Sequence, residues 1–151
     1  MDIIKKLSKL NLTLPEVSTP GGNYQSVNIR GNIAYVAIQF PIKNEEYLYM
    51  GRLGSDLTTQ QGCNALELCT LNVISQMHYK IGFENVIGLN HIDICFRSKN
   101  GWDESPKIAN SASDLFVKVL GEKGKHTRSI YGVEKLPSKF CVGLTVSFTV
   151  K

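Results

Sequence analysis

Cysteine is scarce in this chain, with four among 151 residues. Cys63, Cys69, Cys95 and Cys141 form no C-x-x-C pair, and none stands at metal-ligand spacing from His78, His91 or His126. Each falls inside a helical or strand pattern, where free cysteine serves as a small apolar filler. They are expected to be reduced thiols of a cytoplasmic protein, and no metal site is expected. Long apolar runs are also missing. Nothing approaches the roughly 18 residues that a membrane span needs. Charge of one sign is not gathered anywhere. The 17 Lys and Arg against 13 Asp and Glu give a net +4, but the charges are scattered. That disfavours nucleic acid as a partner and suits small anionic ligands.

What is present is an ordinary globular composition, 42% hydrophobic and 20% charged, with enough chain for one core. A single domain over 1–151 is expected, of which 1–20 is a short helix followed by an extended arm. Ile3, Ile4, Leu7 and Leu10 share a helical face. Pro15 and Thr19-Pro20-Gly21-Gly22 mark irregular chain.

Strict alternation dominates the C-terminal end. Phe140, Val142, Leu144, Val146, Phe148 and Val150 are apolar, while Cys141, Gly143, Thr145, Ser147 and Thr149 are small or polar. This predicts a strand with one buried face. A preceding strand carries Arg128, Ile130 and Tyr131, and a short turn over 134–139 predicts a closing hairpin. A guanidinium fixed on a strand is an anchor for a carboxylate or phosphate. The alternative is an edge-strand arginine lying in solvent.

Earlier in the chain, Gln25–Arg30 alternates, Gly31-Asn32 turns, and Ile33–Phe40 is apolar enough to predict a strand buried on both faces. Pro41 ends it, and a third strand is predicted over Tyr47–Leu53. Thr58 and Gln61 form a capping-box pattern that opens a helix running to Ile81, with Gly82 as its C-terminal cap. Val86–Arg97 is a strand. On it Ile92, Ile94 and Phe96 face one way, His91, Asp93, Cys95 and Arg97 the other, and a bulge falls near Asn90. With no nucleophile at a recognisable spacing, His91 and Asp93 read as a solvated or subunit-facing polar row. Ser105 is expected to cap a second helix with Pro106 at its first position, and Gly121 to end it.

The order β-β-β-α-β-α-β-β predicts an α+β fold, one mixed sheet with two helices on one face. The polar groups on the other face predict association through it.

Tyr24, Gly31-Asn32, Gln39-x-Pro41, the long helix, Arg128-Ser129, Leu136-Pro137 and the alternating last strand together resemble the YjgF/RidA family across almost the whole chain. Gly51-x-Leu53-Gly54-x-Asp56-Leu57 and Asn110-x-Ala112-Ser113-Asp114-Leu115 resemble its subgroup with a longer N-terminus. The resemblance implies a chorismate mutase-like fold and a homotrimer with clefts between subunits. It implies hydrolytic deamination of reactive 2-imino acids to 2-oxo acids and ammonia, without metal or cofactor. Arg128 would hold the substrate carboxylate, and Tyr24, Ile38, Gln39 and Gly143 would line the same site.

Two positions depart from the family pattern. Ala37-Ile38 stands where Ser-Gly is usual, and Gly143 stands where a glutamate positions water. Three readings follow: an imine deaminase with an altered pocket, a non-catalytic trimeric module that binds small 2-imino or 2-oxo carboxylates, and, weakest, a ribonuclease or translation inhibitor.

Overall fold

The computed structural model describes residues 2–151. Strand β1 (Val27–Arg30) and strand β2 (Ile33–Gln39) form an antiparallel hairpin. After them come two short strands, β3 (Ile42–Lys43) and β4 (Glu46–Tyr47), then helix α2 (Thr59–Lys80), strand β5 (Val86–Phe96), helix α3 (Ser105–Leu120), strand β6 (Thr127–Gly132) and strand β7 (Val142–Val150). Helix α1 (Ile3–Lys9) precedes them all and buries Ile3 and Leu7. The main sheet runs β1-β2-β7-β5-β6. Helices α2 and α3 pack together on one of its faces, and the core lies between.

Strand β7 is central, as its apolar alternation demands. Val142, Leu144, Val146, Phe148 and Val150 are buried against the helices. The closing hairpin does not form. β7 pairs antiparallel with β2 on one side and β5 on the other, while β6 lies beyond β5 and parallel to it. Alternation tells which face of a strand is buried, not which strand lies beside it. The parallel neighbour follows from the β5-α3-β6 crossover.

Three further expectations are corrected. β2 is not buried on both faces, because Tyr35 is 53% exposed. The third strand over Tyr47–Leu53 is absent from the sheet. Asn44 and Glu45, both at positive φ, close a two-residue turn between β3 and β4. Tyr49 (φ 56°) and Gly51 (φ 133°) then break the extended run. Ser105 does not cap α3. The cap is Glu104, without a side-chain bond to the helix end.

Other signals hold. Thr58 Oγ1 accepts from the Gln61 N–H at 3.1 Å, and Gln61 Oε1 accepts from the Thr58 N–H at 2.8 Å, completing the capping box of α2. Gly82 follows that helix at φ 88°. The register of β5 against β7 slips between Leu89 and His91, placing the bulge at Asn90. All four cysteines are free. Among the described residues no helix is long and apolar enough to cross a membrane.

Candidate functional site

Arg128 lies on the edge strand β6, directly opposite Ile92 of β5. Ile92 is fully buried among the helix-facing residues, so Arg128 also faces the helices. There α3 presents Asn110 and Ser113, three residues apart and hence on one side of the helix. Arg128 Nη1 donates to Asn110 Oδ1 at 2.8 Å and to Ser113 Oγ at 3.1 Å. Ser113 Oγ lies 2.9 Å from His126 Nε2, and His126 Nδ1 lies 2.6 Å from the Gly124 carbonyl. A carbonyl only accepts, so Nδ1 of a neutral His126 carries the proton and Nε2 accepts from the Ser113 hydroxyl. The hydroxyl oxygen is then free to accept from Arg128. This chain of bonds fixes one corner of the guanidinium. Nε and Nη2 have no partner among the described residues and keep the geometry that a carboxylate can bridge. Asn110, Ser113, Val117, Lys125, His126 and Arg128 line a shallow open basin around it. The nearby cation Lys125 is paired with Glu122 at 2.9 Å.

Ile38 and Gly143 meet elsewhere. Gly143 pairs with Cys95, on the sheet face away from the helices. A one-residue bulge in β2 between Val36 and Gln39 turns Ile38 towards it. A Cβ on Gly143 would fall 2.8 Å from Ile38 Cδ1 and 3.0 Å from both Cys95 Sγ and Phe40 Cε1. The place where the family pattern would have a glutamate is therefore filled by three apolar groups. Phe40 stacks on Phe140 with centroids 5.0 Å apart. Asn72 of α2 fixes this end of β2, donating to the carbonyls of Phe40 and Ile42 at 3.0 and 2.8 Å. Burial pushes the Cys95 thiol up, and pushes that of Cys141 up to about 12.

Gln39 and Tyr24 do not reach either place. Gln39 is buried, donates to the Ala37 carbonyl at 2.8 Å and accepts from Ser18 of the N-terminal arm at 3.4 Å. It stabilises the bulge and the arm. Tyr24 is 49% exposed, and its hydroxyl accepts from the Gly21 N–H at 3.2 Å. The five residues grouped by the sequence are thus spread over one chain. Arg128 and Gly143 are on opposite faces and two strands apart.

His91 and Asp93 lie on the open face. His91 Nε2 is 3.1 Å from Asp93 Oδ1 and 3.3 Å from Ser129 Oγ, and His91 Nδ1 is 2.6 Å from Thr127 Oγ1. The polar row is therefore bonded to itself across β5 and β6.

A mixed five-stranded sheet with two helices on one face is the architecture of chorismate mutase-like α+β domains. Residues 5–148 match the family model described as "YjgF/chorismate mutase-like, putative endoribonuclease", and the chain belongs to that family. It is 33% identical over 137 residues to Protein TCP17 of Trypanosoma cruzi, covering 89% of this chain and 86% of that one. Its fold is similar to that of a crystal structure titled a putative endoribonuclease from Shewanella oneidensis MR-1. The TM-score is 0.95 at 29% identity, covering 99% of this chain and all of that one. It is also similar to the protein Atu1372 from Agrobacterium tumefaciens, with a TM-score of 0.90 at 28% identity, covering 99% and 94%.

No sequence pattern marks Asn110, Ser113 or His126 as a site residue. The first two stand inside the Asn110-x-Ala112-Ser113 motif, but only the crossover geometry shows what they hold.

Proposed function

We propose that this protein binds small 2-imino and 2-oxo carboxylates through Arg128 and hydrolyses the imino acids to 2-oxo acids and ammonia. The observation that carries the reading is the half-committed guanidinium, with Nη1 tied to α3 and the rest of the fork free. A substrate carboxylate takes the free N–H groups, a charge-assisted pair contributing about 1.5–3 kcal/mol. Water then adds across the C=N bond, placing hydroxyl on carbon and hydrogen on nitrogen. The carbinolamine breaks its C–N bond, releasing ammonia and leaving the 2-oxo acid. Imines are labile, so orientation does much of the work.

Arg128 and the Ile38–Gly143 patch lie on opposite faces of the sheet, with β5 between their strands, so a cleft containing both has to be built from two copies. A homotrimer supplies it in this reading. The open face, with Tyr35 and Tyr131 more than half exposed, supports association. Light scattering at micromolar concentration is expected to give three times the 16.8 kDa of the chain.

The filled space at Gly143 supports the second reading, a carboxylate-binding module that does not turn over. Ammonia release from freshly generated 2-iminobutanoate and 2-iminopropanoate separates the two. The deaminase reading expects release above the spontaneous rate that Arg128→Ala abolishes. Binding of 2-oxobutanoate without any release would leave the module. The ribonuclease reading is checked by incubation with RNA, which is expected to remain intact.

A further inference from the structure

Addition of water to an imine is helped by a base, and Gly143 supplies none. Its space is closed by Ile38, Cys95 and Phe40. The five strands of the main sheet hold one carboxylate between them, Asp93 of β5. It stands on the same face as that patch. β5 and β7 keep one register from His91 to Phe96, with Cys95 opposite Gly143 and Asp93 opposite Thr145. A Cβ on Gly143 would fall 3.0 Å from Cys95 Sγ, so Cys95 and the open side of Gly143 share a face. Alternation carries Asp93 to that face too. Asp93 is therefore the diagonal neighbour of Gly143, with Cα atoms about 7–8 Å apart.

The carboxylate is held at one oxygen and free at the other. Oδ1 lies 3.1 Å from His91 Nε2, and His91 Nδ1 lies 2.6 Å from Thr127 Oγ1. Ser129 Oγ, at 3.3 Å, is the longer contact of Nε2. A carboxylate oxygen only accepts, so Nε2 of a neutral His91 carries the proton and Nδ1 accepts from the Thr127 hydroxyl. Thr127 of β6 fixes the tautomer, and the imidazole orients Asp93. Oδ2 has no partner among the described residues, and the side chain is 46% exposed. No lysine or arginine pairs with it. An oriented carboxylate with one oxygen open to water meets the geometric requirement of a general base.

We infer that Asp93 is the general base of the imine hydrolysis, in place of the glutamate that the family pattern has on β7, and that His91 is its positioning residue; this rests on the deamination proposed above. Asp93 takes a proton from water as the water oxygen bonds to the imine carbon, and gives it to the nitrogen. It then takes the hydroxyl proton of the carbinolamine and gives that to the nitrogen as the C–N bond breaks and ammonia leaves. The carboxylate ends as it began.

The test measures ammonia release from freshly generated 2-iminobutanoate by wild type, Asp93→Asn, Asp93→Ser, His91→Ala, His91→Gln and Arg128→Ala. Calorimetry with 2-oxobutanoate and light scattering are run on each. Both Asp93 variants are expected to lose about 100-fold or more of the enzymatic rate. Their 2-oxobutanoate affinity is not weakened, and their mass is unchanged. His91→Ala is expected to show a smaller loss of kcat at unchanged KM, and His91→Gln to recover part of it, since its amide N–H can still donate to Asp93. The inference is overturned, with the deaminase reading intact, if Arg128→Ala abolishes release while the Asp93 variants keep the wild-type rate. It is also overturned if the Asp93 variants lose 2-oxobutanoate binding or change mass along with release, since Asp93 would then hold the assembly together. No release by wild type above the spontaneous rate removes the deaminase reading and this inference with it.

Discussion

Two arginines at different places along the sheet are held in opposite ways. On the helix side, Arg128 is half satisfied by Asn110 and Ser113, with His126 behind the serine. Just past the end of β5, Arg97 is buried with its Nε unpaired. The first arrangement fixes direction and leaves donors to spare. The second leaves one buried donor without an acceptor. A preorganised donor recognises a ligand at small cost in ordering, whereas an uncompensated one makes the empty protein less stable.

The largest expected effect that sharpens this contrast is at Arg128. Arg128→Ala is expected to weaken 2-oxobutanoate binding by about 10- to 100-fold with the melting temperature little changed. Arg128→Lys should also bind poorly, because an ammonium has no planar fork. Calorimetry checks both, and unchanged affinity in both would return Arg128 to the status of a surface residue.

Gly143→Glu comes next. The family pattern invites this substitution as a gain of function, but the side chain would meet Ile38, Cys95 and Phe40 within 3.0 Å. A loss of about 1–3 kcal/mol in urea unfolding is expected from overpacking, with no gain in ammonia release. Ile38→Gly in the same chain opens the space, and the double variant should recover part of that loss.

Ser113→Ala should act more mildly. It removes one acceptor from Arg128 and one donor from His126, costing about 1 kcal/mol and several-fold in carboxylate affinity. A change as large as that of Arg128→Ala would mean that the serine itself touches the ligand.

The smallest effect concerns the thiols. Burial raises Cys141 from 9.0 to about 12, whereas Cys63 is raised but partly exposed. The folded state favours the neutral Cys141 thiol, so its contribution to stability is complete below pH 9 and is lost as pH rises towards 12. At pH 8 iodoacetamide should label Cys63 first and leave Cys69 and Cys141 unmodified in the folded protein, as peptide mass mapping would show.

Much of this fold could be read from residue order. The alternation of β7, the capping box at Thr58 and the bulge at Asn90 are local signals, and each is found where it points. The neighbours of β6 were not legible, because pairing depends on the crossover through α3 rather than on either strand's own pattern. The run over Tyr47–Leu53 has an extended pattern, but no residue type in it announces the positive φ of Tyr49. Arg128 stands out as a guanidinium fixed on a strand, and the resemblance gives it a carboxylate to hold. Asn110 and Ser113 were visible as a motif and not as its dock, since that role exists only once helix and edge strand are packed. Arg97 read as one member of a polar row. Its isolation from carboxylates is a fact of three dimensions.

The central claim is that a small carboxylate is held by the Arg128 guanidinium. The chain has four arginines, at 30, 52, 97 and 128, so their side-chain Nε–Hε resonances can be assigned by single substitutions to lysine or methionine. Titration of the wild-type protein with 2-oxobutanoate should move the Arg128 signal in a saturable way, with the Arg30 and Arg52 signals unmoved. Saturable binding that leaves the Arg128 signal in place would contradict the account.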